Sequence, residues 1–515
     1  VARDHDGSDC VDPVIVWFRD DLRLADNPAL HAAAQSGRPL ICLFVYQTDD
    51  DIRPLGGAAR WWLHGSLLEL DRALRAMGGE LLLFSGSAAE LIPHLAGVFR
   101  AHSVFWNRRY GAAERKVDEG IKSKLKASGI EAKSYNGHLL YEPWTVATKS
   151  NAPFRVFSAF WRAALASGEP GSPLPTPSRP DFSSGVSVSG VGTTKLTDLG
   201  LEPTAPDWAK GLCANWQHGE AGAQNRLDEL LDEGFSSYAV ARDRPDRSAT
   251  SRLSPYLRFG NISVRQVWHA VAAHAMQSGS AGHAFEKFQS ELGWREFSYH
   301  LLYHNPDMAE GNLQPKFDNM PWRDDRDALK AWQLGMTGYP LVDAGMRELW
   351  ATGWMHNRVR MVVASFLIKD LLIDWREGEN WFWDTLVDAD AANNAASWQW
   401  VAGSGADAAP FFRIFNPVLQ GEKFDPEGAY VRRWVPELAT LPNSIIHRPW
   451  EAAKKDLLGM DGPAVNYPAR IVDHRLARER ALAAFRSLAW RPLPVGNPRR
   501  KASRLLRWRT PPGDR

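Results

Sequence analysis

The sequence predicts an α/β N-terminal domain, a doubly wound parallel sheet, joined by a long linker to an all-α domain. Three observations lead there. Short apolar runs alternate with amphipathic helical stretches up to about residue 140. Residues 166–206 then turn to Ser, Pro, Gly and Thr with little periodicity. From about 215 to 488 helical spacing dominates, with no convincing strand. The expected boundaries are 13–140 for the α/β domain, 141–214 for the linker, 215–490 for the helical domain and 491–515 for a basic C-terminal tail.

VIVWF, beginning at Val14, is an unbroken apolar run of the kind a buried parallel strand requires. DNPAL follows, with Asn27 placed to cap a helix and Pro28 at its first position, where no amide hydrogen is needed. LICLFVY, ELLLFSG, SVFWN and IEAKSY read as further strands, separated by helices over 61–77, 88–100 and 113–127. The turn after the first strand, RDDLRLADN, has no glycine triplet, which argues against a nicotinamide-type dinucleotide site.

Composition narrows the function. A chain of 515 residues allows up to about three domains. Its net charge of +1 makes no global electrostatic case for nucleic acid, so any basic surface must be local. Cys10, Cys42 and Cys213 are too scattered for a disulfide framework, a metal site or four-cysteine iron–sulfur ligation, and no metal is expected. The first residues, VARDHDGSDCVDP, are polar and acidic, and no run is long enough to span a bilayer. A soluble, cytoplasmic protein is expected. The 23 tryptophans suggest stacking surfaces or electron relays, although for any single one core packing is the plainer role.

Aromatics, carboxylates and arginines are densest over 354–417. Between 356 and 374, Val359, Val362, Val363, Phe366, Leu367 and Leu371 recur at helical spacing, which sets Asn357, Arg360 and Met361 on one face. Polar groups on so apolar a helix must be satisfied by something. Asp388 and Asp390 open a second element, with Asp390 and Asn394 one helical turn apart. Two carboxylates, an amide and an arginine beside an apolar wall suit a large planar heterocycle with donors and acceptors on its rim. The bland alternative is a helix cap at Asp388 or Asp390. Thr250, Ser251, Arg252, Leu253 and Ser254 at a helix start offer amides, hydroxyls and an arginine to a pyrophosphate, or simply cap the helix. Glu291, Trp294 and Arg295 fall at i, i+3 and i+4 on one face, either a binding constellation or an ion pair over an indole.

WMHNR, DWREGE, DADxxxN, SWQW and FRIFNP occur in the order that the photolyase and cryptochrome flavoproteins carry them, and WFRDDLRLADNPAL resembles that family's amino-terminal signature. The resemblance spans roughly 13–490. It implies an all-α FAD-binding domain and a deoxyribodipyrimidine photo-lyase, most like class III with class I second. The implied reaction is light-driven repair of cyclobutane pyrimidine dimers, by electron transfer from excited, reduced FAD to a lesion flipped out of the duplex.

By the same resemblance, Tyr238, Thr250, Ser251, Arg252, Leu253 and Ser254 would hold the ribityl and phosphate part of FAD. Arg295 would also bind the cofactor, Arg360, Asp388 and Asp390 would fix its isoalloxazine, and Asn394 would face its N5, where plant cryptochromes have an aspartate. Glu291 would hydrogen-bond the dimer, Trp294 would stack on it and Trp400 would form the opposite side of the slot. Asn357 and Met361 would line the substrate cavity where enzymes for the (6-4) photoproduct place histidines, so the cyclobutane dimer is the better substrate. Trp398, Trp375 and Trp322 match the family's electron chain from flavin to surface. Trp354, Trp381 and Trp383 permit a branched route, with packing the plainer role. Arg242, Arg358 and Arg413 match positions that contact phosphate, which positions a duplex without reading its sequence.

In this family the α/β domain holds an antenna chromophore. GGAARWWLHGSL looks most like plant cryptochromes and class III photolyases, in which residues 60–67 would border a cofactor, and 5,10-methenyltetrahydrofolate is expected. Glu114 sits where class I enzymes have a folate-contacting glutamate, although Ala113 replaces their asparagine. Adjacent helix residues do not share a face, so one of Trp61 and Trp62 is expected in the core and the other exposed or facing the chromophore. PFRVFSAFWRAAL resembles a segment of plant-like and class III members. The expected partner is UV-damaged DNA, met by a monomer associated with the nucleoid through DNA, with no membrane and no obligate protein partner. The tail NPRRKASRLLRWRTPPGDR could touch nucleic acid or be a solvated terminus. One rival is a cryptochrome-type blue-light photoreceptor with little or no repair. Glu291, Trp294, Met361, Trp400 and Asn394 speak against it, as does the lack of a long C-terminal extension. The other rival, a light-independent DNA-binding regulator, would leave the tryptophan chain and flavin site without purpose.

Overall fold

The structure, a computed structural model, describes residues 11–178, 180–182, 192–278, 282–407, 412–451 and 467–488. The expected basic tail and Cys10 lie outside the described residues. Strands β1 (Val14–Phe18), β2 (Leu40–Gln47), β3 (Leu81–Gly86), β4 (Ser103–Asn107) and β5 (Glu131–Tyr135) form one parallel sheet in the order β3-β2-β1-β4-β5. Helices α1 (Pro28–Gln35), α2 (Gly57–Ala76), α3 (Ala88–Val98) and α4 (Ala112–Ala127) make the crossovers. Asn27 caps α1 by accepting from the Leu30 amide, with Pro28 in the first turn.

Side chains alternate along β1 and β2, so each face of the sheet buries its own set. Ile15, Trp17, Ile41 and Leu43 pack under α3 and α4. Val14, Val16, Phe18 and Cys42 face α1 and α2, and the core they begin runs on without a break into the helical part of the chain. α2 therefore has protein on both sides, since it also packs against the later helices over 219–229, 254–259 and 375–385. Trp61 and Trp62 are consequently both buried, at 3% and 0% exposure, so of the two roles expected for the second indole, exposed or facing a chromophore, the exposed one is overturned. Trp62 lies edge-on to Trp216 and Tyr256 and donates to Asn261, while Trp61 packs on His218.

The described parts of the connector run along the sheet. Leu40 donates to the Asp181 carbonyl and pairs with Phe182, and Thr194 donates to the Leu83 carbonyl. It carries α5 (Phe157–Ala166) and α6 (Lys210–Asn215). After it come α7 (Gly219–Glu229), α8 (Tyr238–Ala241), α9 (Ser254–Phe259), α10 (Val264–Ser278) and α11 (Gly282–His304). α12 (Arg326–Gln333), α13 (Pro340–Thr352), α14 (Asn357–Ser365), α15 (Trp375–Thr385) and α16 (Asn393–Ala402) follow, then α17 (Pro417–Phe424), α18 (Ala429–Trp434) and α19 (His474–Leu488). A second core, centred on α13 to α16, holds Trp332, Trp375 and Trp398. Among the described residues no helix is long and apolar enough to cross a membrane.

Gly260, which ends α9, sits at φ +67°, and a Cβ there would fall 2.2 Å from the Asp20 carbonyl oxygen. Only glycine allows that left-handed turn and that approach together. The turn after β1 docks against it, with Leu22 donating to the Phe259 carbonyl and Arg23 to that of Gly260.

Candidate functional site

α8, α9, α11, α14 and α16, with the turn at 386–390, enclose a cavity of about 590 Å³, within the range of cofactor pockets. Asn357, Arg358, Arg360 and Met361 line it from α14, as the helical spacing requires. Arg360 forks onto Asp388, with Nη1 to Oδ1 at 3.1 Å and Nη2 to Oδ2 at 2.9 Å, and its Nε donates to the Met355 carbonyl. Asp390 behaves differently. Its Oδ1 accepts from the amides of Ala392 and Asn393, so it caps α16, and its Oδ2 accepts from the Tyr299 hydroxyl. Of the two carboxylates, one is therefore a cap and the other the partner of an arginine.

Asn394, the second residue of α16, lines the cavity. Its Nδ2 donates to both the backbone carbonyl and the carboxylate of Glu379, at 3.0 and 2.9 Å, which leaves Oδ1 as an acceptor for the cavity. Glu379 is held in turn by Arg53 through two bonds of 2.7 and 2.9 Å. Glu379 lies in DWREGE, but nothing in that motif alone signals that its carboxylate orients an amide on the next helix.

The α11 face contributes Glu291, Trp294 and Arg295. Glu291 does not pair with Arg295. It is bonded to Arg242, with Lys287 at 3.2 Å, while Arg295 turns to Glu296 at 3.2 Å and His138 at 2.8 Å. Trp294 stacks on Phe157, ring centroids 3.9 Å apart and planes within 10°, so α5 backs one face of that indole. Trp400 faces the same cavity from α16.

Tyr238, Ser251, Leu253 and Ser254 also line the cavity, whereas Thr250 and Arg252 do not. Arg252 adopts φ +51° and lies between the rings of Trp216 and Trp354, 4.6 and 4.8 Å from their centroids. The buried Nε of Arg252 has no hydrogen-bond partner among the described residues. An unpaired buried donor in a hydroxyl-bearing turn, an unused amide oxygen and a large apolar volume fit a planar heterocycle carrying a charged, phosphate-type tail. Burial pushes His356 down to about 4, so it is neutral at neutral pH.

Trp398 and Trp375 are buried in one apolar cluster, and Trp322 packs half-buried against it. Gly378 permits this: a Cβ there would fall 2.1 Å from the Trp398 ring. The ring neighbours of Trp398 are Phe382 at 5.0 Å and Trp332 at 6.3 Å. Arg413 lies outside the cavity. With Arg244, Arg247, Arg358 and Lys423 it lines an adjoining groove whose one acidic residue, among the described residues, is Asp243, paired to Arg358 at 2.7 Å. Arg258, unremarked in the run YLRFG, also lines the cavity.

A family model described as DNA photolyase matches residues 14–179, and one described as the FAD binding domain of DNA photolyase matches residues 288–487. The chain is 52% identical over 475 residues to a deoxyribodipyrimidine photo-lyase of Agrobacterium fabrum, covering 92% of this chain and 97% of that one. It is 40% identical over 473 residues to cryptochrome-1 of Arabidopsis thaliana, covering 89% of this chain and 68% of that one. Among solved structures it resembles a bacterial class III photolyase from Agrobacterium tumefaciens with a TM-score of 0.89 and 49% identity, covering 95% of this chain and all of that one.

Glu296, beneath the Arg295 wall, offers a pH test. Burial pushes its carboxyl up to about 7, against the pull of Arg295 and the Tyr141 and Leu140 amides. A carboxyl raised in the folded state contributes stability below its unfolded pKa and loses it as pH rises through the folded value. The unfolding free energy of the wild type, measured by urea and taken relative to Glu296→Gln so that the buried histidines cancel, is expected to fall between about pH 4.5 and about pH 7 by up to about 3 kcal/mol. A difference that stays constant with pH would contradict the assignment.

Proposed function

The chain belongs to the DNA photolyase family, and from that premise we propose that its cavity carries out light-driven repair of cyclobutane pyrimidine dimers in DNA, as a deoxyribodipyrimidine photo-lyase of class III type. The observation that carries this reading is the meeting, in one cavity, of the Arg360–Asp388 fork and the Asn394 amide with Glu291, Trp294 and Trp400.

FAD, when bound and reduced, supplies an electron to the dimer under blue light and takes it back once the ring has opened. The protein's part is to bind, orient and keep dry. Arg360 and Asp388 would hold the polar rim of the heterocycle, with Asp390 fixing the turn beside it. The Asn394 Oδ1 would accept from a ring N–H, because its amide is locked by Glu379. Tyr238, Ser251, Leu253 and Ser254 would hold the ribityl and phosphate part, while Thr250 and Arg252 act from behind the wall.

Substrate binding falls to the opposite side. Glu291 has one carboxylate oxygen bonded to Arg242 and Lys287, which leaves the other for a pyrimidine edge. Trp294, backed by Phe157, presents one face for stacking, opposite Trp400. Asn357 and Met361 offer no acid or base, and His356 is neutral, as suits a dimer that needs an electron and no proton relay. The groove of Arg244, Arg247, Arg358, Arg413 and Lys423 suits the flanking phosphates, which set position rather than sequence. Trp398, Trp375 and Trp322 would relay electrons to the flavin from outside. The antenna reading, 5,10-methenyltetrahydrofolate, rests on Arg60, half-buried on α2, and Glu114 in the first turn of α4. A monomer that meets the nucleoid only through DNA completes the proposal. Asn394, where plant cryptochromes have an aspartate, favours the enzyme over the photoreceptor.

The direct test is recovery of thymine absorbance from dimer-containing oligothymidylate mixed with the reduced protein, under blue light and in the dark. Recovery in light alone is expected, and none in light would remove the enzyme reading. Trp398→Phe is expected to block photoreduction of oxidised FAD while chemically reduced protein still repairs, whereas equal loss of both would sink the relay role. Glu291→Ala should lower repair yield roughly tenfold or more, the scale of a lost charged hydrogen bond, with FAD retained. Loss of FAD in that variant would make the residue structural.

A further inference from the structure

Arg258 is a cation in the cavity wall that neither the cofactor reading nor the substrate reading uses. It lies on α9, one turn beyond the Ser251–Ser254 segment, with its side chain 10% exposed. Its Nε donates to the Ala389 carbonyl at 2.8 Å, the peptide between Asp388 and Asp390. Its Nη1 meets Asp20 Oδ1 at 3.0 Å. Asp20 follows β1, belongs to the α/β domain and does not line the cavity. The other oxygen of Asp20 pairs with Arg109 at 2.9 Å, and Arg109 reaches Gln47, the last residue of β2, at 2.6 Å. Burial would raise the Asp20 carboxyl, but Arg109 and Arg258 outweigh it and hold it well below the usual carboxylate range.

One side chain thus ties three things together: the helix that begins at the Ser251–Ser254 turn, the peptide that aims both cavity carboxylates, and the carboxyl ends of the sheet. We infer that Arg258 is a positioning residue for the flavin, locking the 388–390 turn and carrying into the cavity wall a positive charge that Asp20, on the other domain, balances. The inference rests on the flavin reading of the cavity. Its electrical half has a sign. Reduction adds negative charge to the flavin, so a bare cation in the wall favours the reduced form and a bare anion disfavours it.

The test is the flavin midpoint potential of the FAD-loaded protein, measured spectroelectrochemically for wild type, Arg258→Gln, Arg258→Lys and Asp20→Asn. Arg258→Gln is expected to shift the potential negative, Asp20→Asn to shift it positive although Asp20 touches no ligand, and Arg258→Lys to stay near wild type. Equal potentials, or shifts of the same sign in Arg258→Gln and Asp20→Asn, would overturn the inference. Should Arg258→Gln not retain FAD, amide hydrogen exchange over 386–392 in the FAD-free proteins decides. Exchange about tenfold faster than wild type supports the lock, and equal exchange refutes it. A wild type that binds no FAD would instead remove the flavin reading itself.

Discussion

Arg360 grips Asp388 with both ends of its guanidinium, and the cavity takes its width from that grip. α14 carries Asn357 and Met361, α16 carries Asn394, Trp398 and Trp400, and the turn holding Asp388 lies between the two helices. Even a partly buried ion pair is costly to desolvate, and it is tolerated when the geometry is bidentate and the remaining protons are satisfied. Here the third donor of Arg360 goes to the Met355 carbonyl, so little of the guanidinium is left without a partner. Losing either member would leave a charge in an apolar wall, and the helices would no longer face each other across a fixed distance.

The same logic of fully engaged polar groups recurs around the cavity. Asp390 is occupied by its cap and by Tyr299, Asn394 by Glu379, and Glu379 by Arg53. Asp390 and Asn394 face inward and are aimed by residues that do not, Tyr299 and Glu379, which belong to other elements. Aromatic packing does the rest: Phe157 backs Trp294, and Phe382 and Trp332 hold Trp398. A rigid, largely apolar chamber with a few oriented polar groups suits electron transfer, in which water and oxygen must be kept from a charged pair.

The strands were legible because a sheet covered on both faces needs unbroken apolar runs, which VIVWF and LICLFVY supply. Helical spacing likewise set Asn357, Arg360 and Met361 on one side of α14. What spacing could not reveal is what covers the far side of an element. Trp61 and Trp62 both meet the His218 ring, and α2 lies between the sheet and the helices, so both are buried. The connector's composition read as loop, although its backbone bonds along the sheet. Asp388 and Asp390 looked alike in sequence and differ only through their partners. Glu379 and Arg258 went unassigned for a related reason: their meaning lies in Asn394, Arg53, Ala389 and Asp20, contacts that no local pattern encodes.

In the proposed reaction one chamber receives the lesion and the cofactor together, with the dimer drawn out of the duplex between Trp294 and Trp400. The most direct measurement is the fluorescence of 2-aminopurine placed opposite a thymine dimer, titrated in the dark with the FAD-loaded protein. Extrusion unstacks the opposing base, so a marked rise in fluorescence is expected with dimer-containing duplex and none with undamaged duplex. Tight binding to the damaged duplex with no change in fluorescence would mean that the dimer stays in the stack, which contradicts the account.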